Sequence, residues 1–187
     1  MTTAVLDACV LYAAALRDLF MHLTVHFVFQ PKWTEQIHSE WIGNVLEHRP
    51  DLERARLERA RALMDQWARD WHVPDHTALV PTLSLPDPDG RHVLAAAISA
   101  EVPYIVTFDL SHFPEAALAP HGVRARHPDE FACGLPQESP EAFLEAVRTH
   151  RASLRRPPES AEAYLTTLST CGLPQTATRL ADHLHEI

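Results

Sequence analysis

Four aspartates stand where the sequence could bring carboxylates together. Asp7 directly follows the apolar run Ala-Val-Leu, and Asp109 directly follows Tyr-Ile-Val-Thr-Phe, which has the β-branched and aromatic composition of a strand. Asp87 and Asp89 lie in a proline-rich turn after a third predicted strand. In open parallel sheets, ligands gather outside the carboxyl ends of the strands. We therefore expect these acids to converge if their strands are neighbours.

A converging set of carboxylates requires a cation or a shared proton. Two unit negative charges about 4 Å apart repel by about 4 kcal/mol at an effective dielectric constant near 20. Mg²⁺ and Mn²⁺ prefer carboxylate and water oxygens as ligands. With a phosphate bound, two such ions would activate water and stabilise the leaving oxygen. The acids therefore predict a Mg²⁺ or Mn²⁺ site that acts on phosphate esters.

Two further acids have simple structural explanations beside a functional one. Glu40 lies at the edge of the buried face of a predicted helix, where it can reach inward but also fits a surface position. Asp89 precedes another predicted helix, where an N-cap would contribute about 1 kcal/mol. Asp7 and Asp109 are harder to explain as purely structural residues, because each follows an apolar strand. These two are the firmest candidate ligands.

The pattern of elements predicts an α/β domain followed by a helical extension. Strands are predicted at residues 4–6, 25–29, 76–85, 104–108 and 123–125, and helices at 9–23, 33–47, 51–71, 91–100 and 128–132. Their alternation predicts right-handed βαβ crossovers and a mainly parallel sheet. After residue 136 the pattern is helical, at 140–155, 160–168 and 175–185, with breaks at Pro157-Pro158 and Gly172-Leu173-Pro174.

This change of pattern places a boundary between residues 1–136 and 137–187. A helical segment of this size supplies no more than about 3–5 kcal/mol from a core of its own. We therefore expect the extension to pack on the α/β domain.

Composition excludes several common functional classes. Sixteen Lys and Arg against 25 Asp and Glu give a formal net charge of −9, which argues against blanket neutralisation of nucleic acid phosphates. Any nucleic acid must be held locally, and a partner that meets the clustered acids is expected to be basic. The single lysine, Lys32, has no glycine before it, and no Gly-x-Gly-x-x-Gly or Gly-x-Ser-x-Gly run is present. P-loop, dinucleotide-binding and α/β-hydrolase signatures are therefore missing.

Cysteine usage and hydropathy predict a soluble cytoplasmic protein. Cys9, Cys133 and Cys171 are far apart and odd in number, which suits small buried side chains in a reducing compartment. Asp7 interrupts the first apolar run and no basic stretch precedes it, so no signal peptide is predicted. The apolar stretches are shorter than the roughly 18 residues that a membrane span needs.

Two other patterns have weaker functional interpretations. His22 and His26 have the i, i+4 spacing of zinc ligands on a helix, but no third ligand accompanies them. The arginines of residues 51–71 alternate with acids, which favours a solvated helix face over an RNA-contacting one.

Four ordered segments, residues 5–12, 33–41, 85–97 and 105–114, resemble the motifs of PIN-domain proteins. The resemblance is closest to the VapC-type toxins that carry a helical C-terminal extension, and it covers nearly the whole chain. It implies a three-layer α/β/α fold and a metal-dependent endoribonuclease. It also implies a homodimer and inhibition by a cognate antitoxin.

The resemblance carries two departures. The family's third acid usually stands immediately before Arg-His-Val-Leu-Ala-Ala, where this chain has Gly90, with Asp89 as its neighbour. A second acid of the last motif usually precedes Phe-Pro, where this chain has His112. Both departures reduce the number of hard oxygen ligands.

The resemblance and the spacing together predict one site and leave one alternative. The expected substrate is RNA, the expected cofactor is Mg²⁺ or Mn²⁺, and the alternative is a catalytically weakened PIN domain that binds protein or RNA. Asp7, Glu40, Asp89 and Asp109 are expected to be catalytic. The expected metal ligands are Asp7, Glu40, Asp87, Asp89, Asp109 and His112.

Overall fold

A computed structural model describes residues 1–155 and 158–187 of the chain. The strands in this part are β1 (Thr2–Leu6), β2 (Phe29–Lys32), β3 (Tyr104–Val106) and β4 (Arg124–Arg126). They form one parallel sheet in the order β2-β1-β3-β4. The apolar residues of β1 and β3 are buried, as a parallel sheet covered by helices on both faces requires. The predicted α/β/α fold with a mainly parallel sheet is confirmed.

Ten α-helices surround this sheet within the described residues. The first part of the chain contains α1 (Ala8–Tyr12), α2 (Ala14–Val25), α3 (Glu35–His48), α4 (Arg54–Trp67), α5 (Arg91–Ser99), α6 (Glu115–Leu118) and α7 (Pro128–Gly134). The C-terminal part contains α8 (Pro140–Ser153), α9 (Ala161–Thr170) and α10 (Pro174–Leu180). Of the predicted break at Pro157-Pro158, Pro157 lies outside the described residues. Helices on the faces of the sheet leave its carboxyl edge as the open side.

Local backbone geometry explains two shifts from the predicted elements in the first third of the chain. The helix predicted over residues 9–23 is divided into α1 and α2 because Ala13 is extended, with φ −77° and ψ 120°. The strand predicted at residues 25–29 begins only at Phe29. The reason is that α2 continues further and Phe27 turns the chain in the left-handed region, with φ 57°.

The strand predicted over residues 76–85 is wrong. Two short 3₁₀ turns, His76–Ala78 and Val80–Thr82, occupy this segment. Their backbone groups are satisfied locally, since the amide of Leu79 donates to His76 and the amide of Thr82 donates to Leu79. Pro81 lacks the N–H that a strand within a sheet would donate. The turn that carries Asp87 and Asp89 is therefore not placed by the end of a strand.

The C-terminal helices pack on the first part of the chain. Helix α8 lies against α2, and α10 lies against α7 and α9. Phe143 of α8 and Tyr164 of α9 join the same hydrophobic core as the sheet. Asp129 of α7 is 1% exposed, and it accepts hydrogen bonds from the backbone amides of Gln175 and Thr176 at 2.8 Å each. This carboxylate thereby joins α7 to the first turn of α10.

The order of the strands determines where a cleft can form. The chain leaves β1 toward β2 on one side, whereas β3 lies on the other side of β1. Such a reversal opens a crevice at the carboxyl ends of the two strands. Asp7 directly follows β1, and its amide donates to the carbonyl of Val106 in β3 at 3.1 Å. Asp109 lies three residues beyond the end of β3.

A buried polar network joins α3 to α4. The indole N–H of Trp41 donates to His38 Nδ1 at 2.9 Å, so His38 carries its proton on Nε2, which lies 3.0 Å from Asp65 Oδ1. Trp33 Nε1 donates to the same oxygen at 3.0 Å. Burial lowers the pKa of His38. The network fixes the rotation of α3, and with it the direction of Glu40.

Candidate metal centre

One cleft of about 410 Å³ at the carboxyl edge of the sheet holds all six residues predicted as metal ligands. They arrive from four directions: the end of β1, helix α3, the turn before α5, and the loop after β3. The strand order places Asp7 and Asp109 at this edge, whereas Glu40 comes from a helix and Asp87 and Asp89 come from a turn. Among the described residues, Asp7 and Asp109 are the two of the six that share a group of three ligand atoms within 4.8 Å of one another. The lining residues are Asp7, Ala8, Cys9, Gln36, Glu40, Asn44, Asp87, Asp89, Gly90, His92, Val93, Asp109, His112 and Phe113.

Asp7 is held rigidly at the base of the cleft. Its Oδ1 accepts from the amide of Ala8 at 2.7 Å, and its Oδ2 accepts from the hydroxyl of Thr107 at 2.7 Å. Burial raises the pKa of Asp7, and the hydrogen bonds from Thr107 and Ala8 oppose that rise. A buried carboxylate with a raised pKa gains from a nearby positive charge.

The loop after β3 is tied to the same carboxylate. The amide of Asp109 donates to the hydroxyl oxygen of Thr107 at 3.1 Å, while that hydroxyl donates to Asp7. Thr107 therefore couples the two aspartates that end β1 and β3. The carboxylate of Asp109 is exposed to the cleft.

Glu40 points into the cleft from α3 and does not lie free on the surface. Its Oε1 is 3.0 Å from His92 Nε2 on α5 and accepts from Gln36 Nε2 at 3.0 Å. The side chain of Glu40 is 35% exposed, whereas that of His92 is 5% exposed. A histidine this deeply buried holds the carboxylate at a defined place on the wall of the cleft.

The turn before α5 supplies two acids, of which one is hydrogen-bonded and the other is exposed. Asp87 caps the 3₁₀ turn Pro88–Gly90, since it accepts from the amide of Asp89 at 3.0 Å. It also lies 3.2 Å from His112 Nδ1. Asp89 is exposed, and the capping side chain is Asp87, so the N-cap explanation of Asp89 does not hold. The carboxylate of Asp89 thus remains available to a ligand.

Cys9 is a cleft residue that the sequence interpretation treated only as a small buried side chain. Its Sγ lies 3.4 Å from Asp7 Oδ2 and accepts from the amide of Phe108 at 3.4 Å. One ligand atom each of Asp7, Cys9 and Asp109 lie within 4.8 Å of one another. Burial, and then the charge of Asp7, raise the pKa of the Cys9 thiol to about 12.

The donor set fits a divalent cation. It combines exposed and half-buried carboxylates with one thiol at distances that a single ion can span. The pair His22 and His26 contacts Thr149 Oγ1, at 3.2 and 3.0 Å, and forms no group of three ligands within the described residues. The cleft is therefore the place where a metal would bind.

The sequence analysis did not identify three residues that support the candidate site, namely Cys9, Thr107 and His92. Cys9 and Thr107 each stand two positions from a predicted aspartate, a spacing that could have indicated them. His92 lies inside the Arg-His-Val-Leu-Ala-Ala motif, but its contact with Glu40 depends on how α3 and α5 pack. That packing is not encoded in any local pattern.

Comparisons with known families identify the fold that builds this cleft. A family model described as "PIN domain" matches residues 3–111, more than half of the chain. The chain belongs to the PIN domain family. The matched part of this PIN-domain protein covers all the carboxylates of the cleft, whereas His112 lies just beyond it. A second family model, described as "VapC50 C-terminal domain", matches residues 128–182, from the start of α7 through α10.

A curated relative is similar to part of this PIN-domain protein. The Mycobacterium tuberculosis (strain ATCC 25618 / H37Rv) protein described as "Putative ribonuclease VapC50" is 54% identical over 41 residues. The match covers 22% of this chain and 24% of the relative, so it spans about a quarter of the relative's length. No solved structure matches the chain. Within the described residues, no helix is both long and apolar enough to span a membrane.

Proposed function

We propose that this PIN-domain protein is a metal-dependent endoribonuclease, the VapC-type toxin of a toxin–antitoxin pair. The observation that carries the proposal is a cleft at the carboxyl edge of the sheet that is lined by Asp7, Glu40, Asp89 and Asp109. The two family matches and the similarity to a curated relative described as a ribonuclease support a nuclease. The substrate class is RNA, cleaved at phosphodiester bonds.

The acidic residues bind the cofactor, Mg²⁺ or Mn²⁺. A bound cation would offset their mutual repulsion, orient a phosphate and lower the pKa of water. Asp7 is the central ligand because Thr107 and Ala8 fix both of its oxygens. Glu40 and Asp109 face it from α3 and from the loop after β3. Asp89 takes the place of the acid that the family usually has at position 90.

The proposal includes the partners that the family resemblance implies. A cognate antitoxin would meet the acidic cleft with Arg or Lys, because the chain carries a net charge of −9. The chain would form a homodimer and act in the cytoplasm. Its three cysteines are unpaired, which suits a reducing compartment.

The variant Asp7→Asn tests the proposal. Asn keeps the shape and one carbonyl oxygen, but it removes the charge that would offset that of the cation. We expect Mn²⁺ binding by calorimetry and cleavage of single-stranded RNA to be lost together. The fold should stay intact, because Asn fills the same volume and its carbonyl oxygen can still accept from the amide of Ala8. Asp182→Asn, at an exposed position in the C-terminal part, is the matched control.

A second candidate function is a catalytically weakened PIN domain that binds protein or RNA. The observation in its favour is that His112 stands in an acidic position and pairs with Asp87 at 3.2 Å. Because Asp87 contacts His112, one carboxylate fewer is free to bind a cation. Calorimetry separates the two candidates: no Mn²⁺ binding by the parent chain, together with RNA binding without cleavage, would favour the binding module.

A further inference from the structure

Cys9 places a sulfur atom where the rest of the candidate site offers oxygen. Its Sγ and one carboxylate oxygen each of Asp7 and Asp109 lie within 4.8 Å of one another. The amide of Phe108 donates a hydrogen bond to the sulfur at 3.4 Å, and this bond holds the thiol so that it faces the carboxylates. Cys9 is half-buried and forms no disulfide. A cation held by both aspartates would therefore meet this sulfur.

Sulfur and oxygen ligands select different ions. Carboxylates suit Mg²⁺ and Mn²⁺, whereas a thiolate suits Zn²⁺ and other thiophilic ions. A hard ion gains little from a sulfur ligand, whereas a thiophilic ion forms a strong bond to sulfur. The same three residues can thus serve two classes of ion differently.

A second observation points to a ligand in this cleft. The imidazole of His92 is turned toward the cleft, since its Nε2 contacts Glu40 at 3.0 Å. The residue is 4% exposed, and among the described residues its Nδ1 has no hydrogen-bond partner. A buried ring nitrogen without a partner in a site rimmed by acids is typical of a polar site that a ligand completes.

We propose that Asp7, Cys9 and Asp109 form a site for a thiophilic divalent cation, with Zn²⁺ as the ion, that competes with Mg²⁺ or Mn²⁺ for the cleft. The inference rests on the proposed function, since it concerns the same carboxylates. Binding forms one metal–sulfur bond, and the thiol proton leaves to water. Because Asp7 and Asp109 cannot serve both ions at full strength, Zn²⁺ displaces Mn²⁺ and keeps the nuclease inactive.

The test compares Cys9→Ser with Cys171→Ser, which removes another half-buried, unpaired cysteine outside the cleft. Cd²⁺ added to the parent and to Cys171→Ser should give the ultraviolet thiolate-to-metal charge-transfer band, and Cys9→Ser should not. Zn²⁺ affinity should fall by at least about tenfold in Cys9→Ser, since loss of a residue that merely supports a ligand already costs about 10–100-fold. Mn²⁺ affinity should change much less. Release of Mn²⁺ on addition of Zn²⁺ is followed by the electron paramagnetic resonance signal of the free ion.

A second variant keeps the inference open to refutation if Cys9→Ser fails to fold. Asp109→Asn changes an exposed side chain, and it should weaken the Cd²⁺ band and Zn²⁺ binding as well. A Cd²⁺ band that persists in Cys9→Ser, or equal Zn²⁺ affinity in both cysteine variants, would overturn the inference while leaving the nuclease proposal intact. Failure of the parent to bind Mn²⁺ while Zn²⁺ binds through Cys9 would instead overturn the nuclease proposal and the competition between the ions, and would leave the Zn²⁺ site itself standing.

Discussion

His150 makes the packing of the C-terminal helices sensitive to acid. It lies on α8 with no exposed surface, and its Nδ1 is 2.8 Å from the hydroxyl of Tyr164 on α9. Its ring is 5.2 Å from that of His22 on α2, and its Nε2 has no hydrogen-bond partner among the described residues. Burial, and then the charge of His22, lower the pKa of His150 from 6.5 to about 4. A proton added here would enter a buried contact between α2 and the C-terminal helices.

The sign and size of the effect follow from that pKa. The unfolded chain takes up a proton at this histidine near pH 6.5, whereas the folded chain does so only near pH 4, so folding stability falls as the pH drops through this window. The full difference is about 3 kcal/mol at 1.36 kcal/mol per pKa unit. Between pH 7 and pH 5 the loss in the free energy of unfolding should be about 2 kcal/mol from this group.

The assay is urea unfolding of the parent and of His150→Gln at pH 7 and pH 5. Gln can still bond to the hydroxyl of Tyr164 but does not titrate. The free energy of unfolding should therefore fall by about 2 kcal/mol less in this variant than in the parent. His185→Gln, whose side chain is 81% exposed, is the matched control and should behave as the parent does. Equal losses in the parent and in His150→Gln would refute the reasoning.

Two further changes test other parts of the structure. Asp129→Asn weakens the cap that α7 provides for α10, and it should lower the free energy of unfolding by about 1.5–3 kcal/mol in urea titrations, as expected for hydrogen bonds to a charged group. Restoring acids with Gly90→Asp and His112→Asp should strengthen Mn²⁺ binding by calorimetry and speed the cleavage of single-stranded RNA. The backbone tolerates an aspartate at Gly90, where φ is −72°, but its Cβ would lie 3.1 Å from Phe113, so that ring must shift by a few tenths of an ångström. Unchanged Mn²⁺ affinity in the double variant would indicate that Asp89 already fills the third position.

The sequence predicted the fold best where an apolar run forms a strand that neighbouring strands and helices bury. The central strands are short apolar runs, with Asp7 directly after β1 and Asp109 three residues after β3, and such runs are typical of strands buried in a parallel sheet. The pattern failed over residues 76–85, where apolar residues with strand propensity surround Pro81. Within the part of the chain that the structure describes, no strand pairs with that segment, and short turns satisfy its backbone instead. Local composition cannot show whether a sheet has room for another strand.

The same limit applies to the candidate site. Asp7 and Asp109 could be predicted because a strand end is a position that sequence reveals. The contact between His92 and Glu40 could not, since it depends on the angle at which α3 meets α5. Cys9 stands two positions from Asp7, a spacing that could have indicated it, but the direction of its sulfur depends on the folded loops.

Gly90 and His112, which stand in place of two acids, and the buried His92 all affect the free energy with which the cleft binds a cation. Each pair of unscreened carboxylates about 4 Å apart costs about 4 kcal/mol, so a cleft with Gly90 and His112 in place of acids is easier to fold without a cation. His112 Nδ1 also lies 3.2 Å from Asp87 Oδ2, and His92 Nε2 lies 3.0 Å from Glu40 Oε1. These contacts compete with an incoming cation for the same oxygens. Gly90 and His112 favour folding without a cation, and they therefore weaken the affinity of the cleft for Mg²⁺ and Mn²⁺. The sulfur of Cys9 adds affinity only for a thiophilic ion.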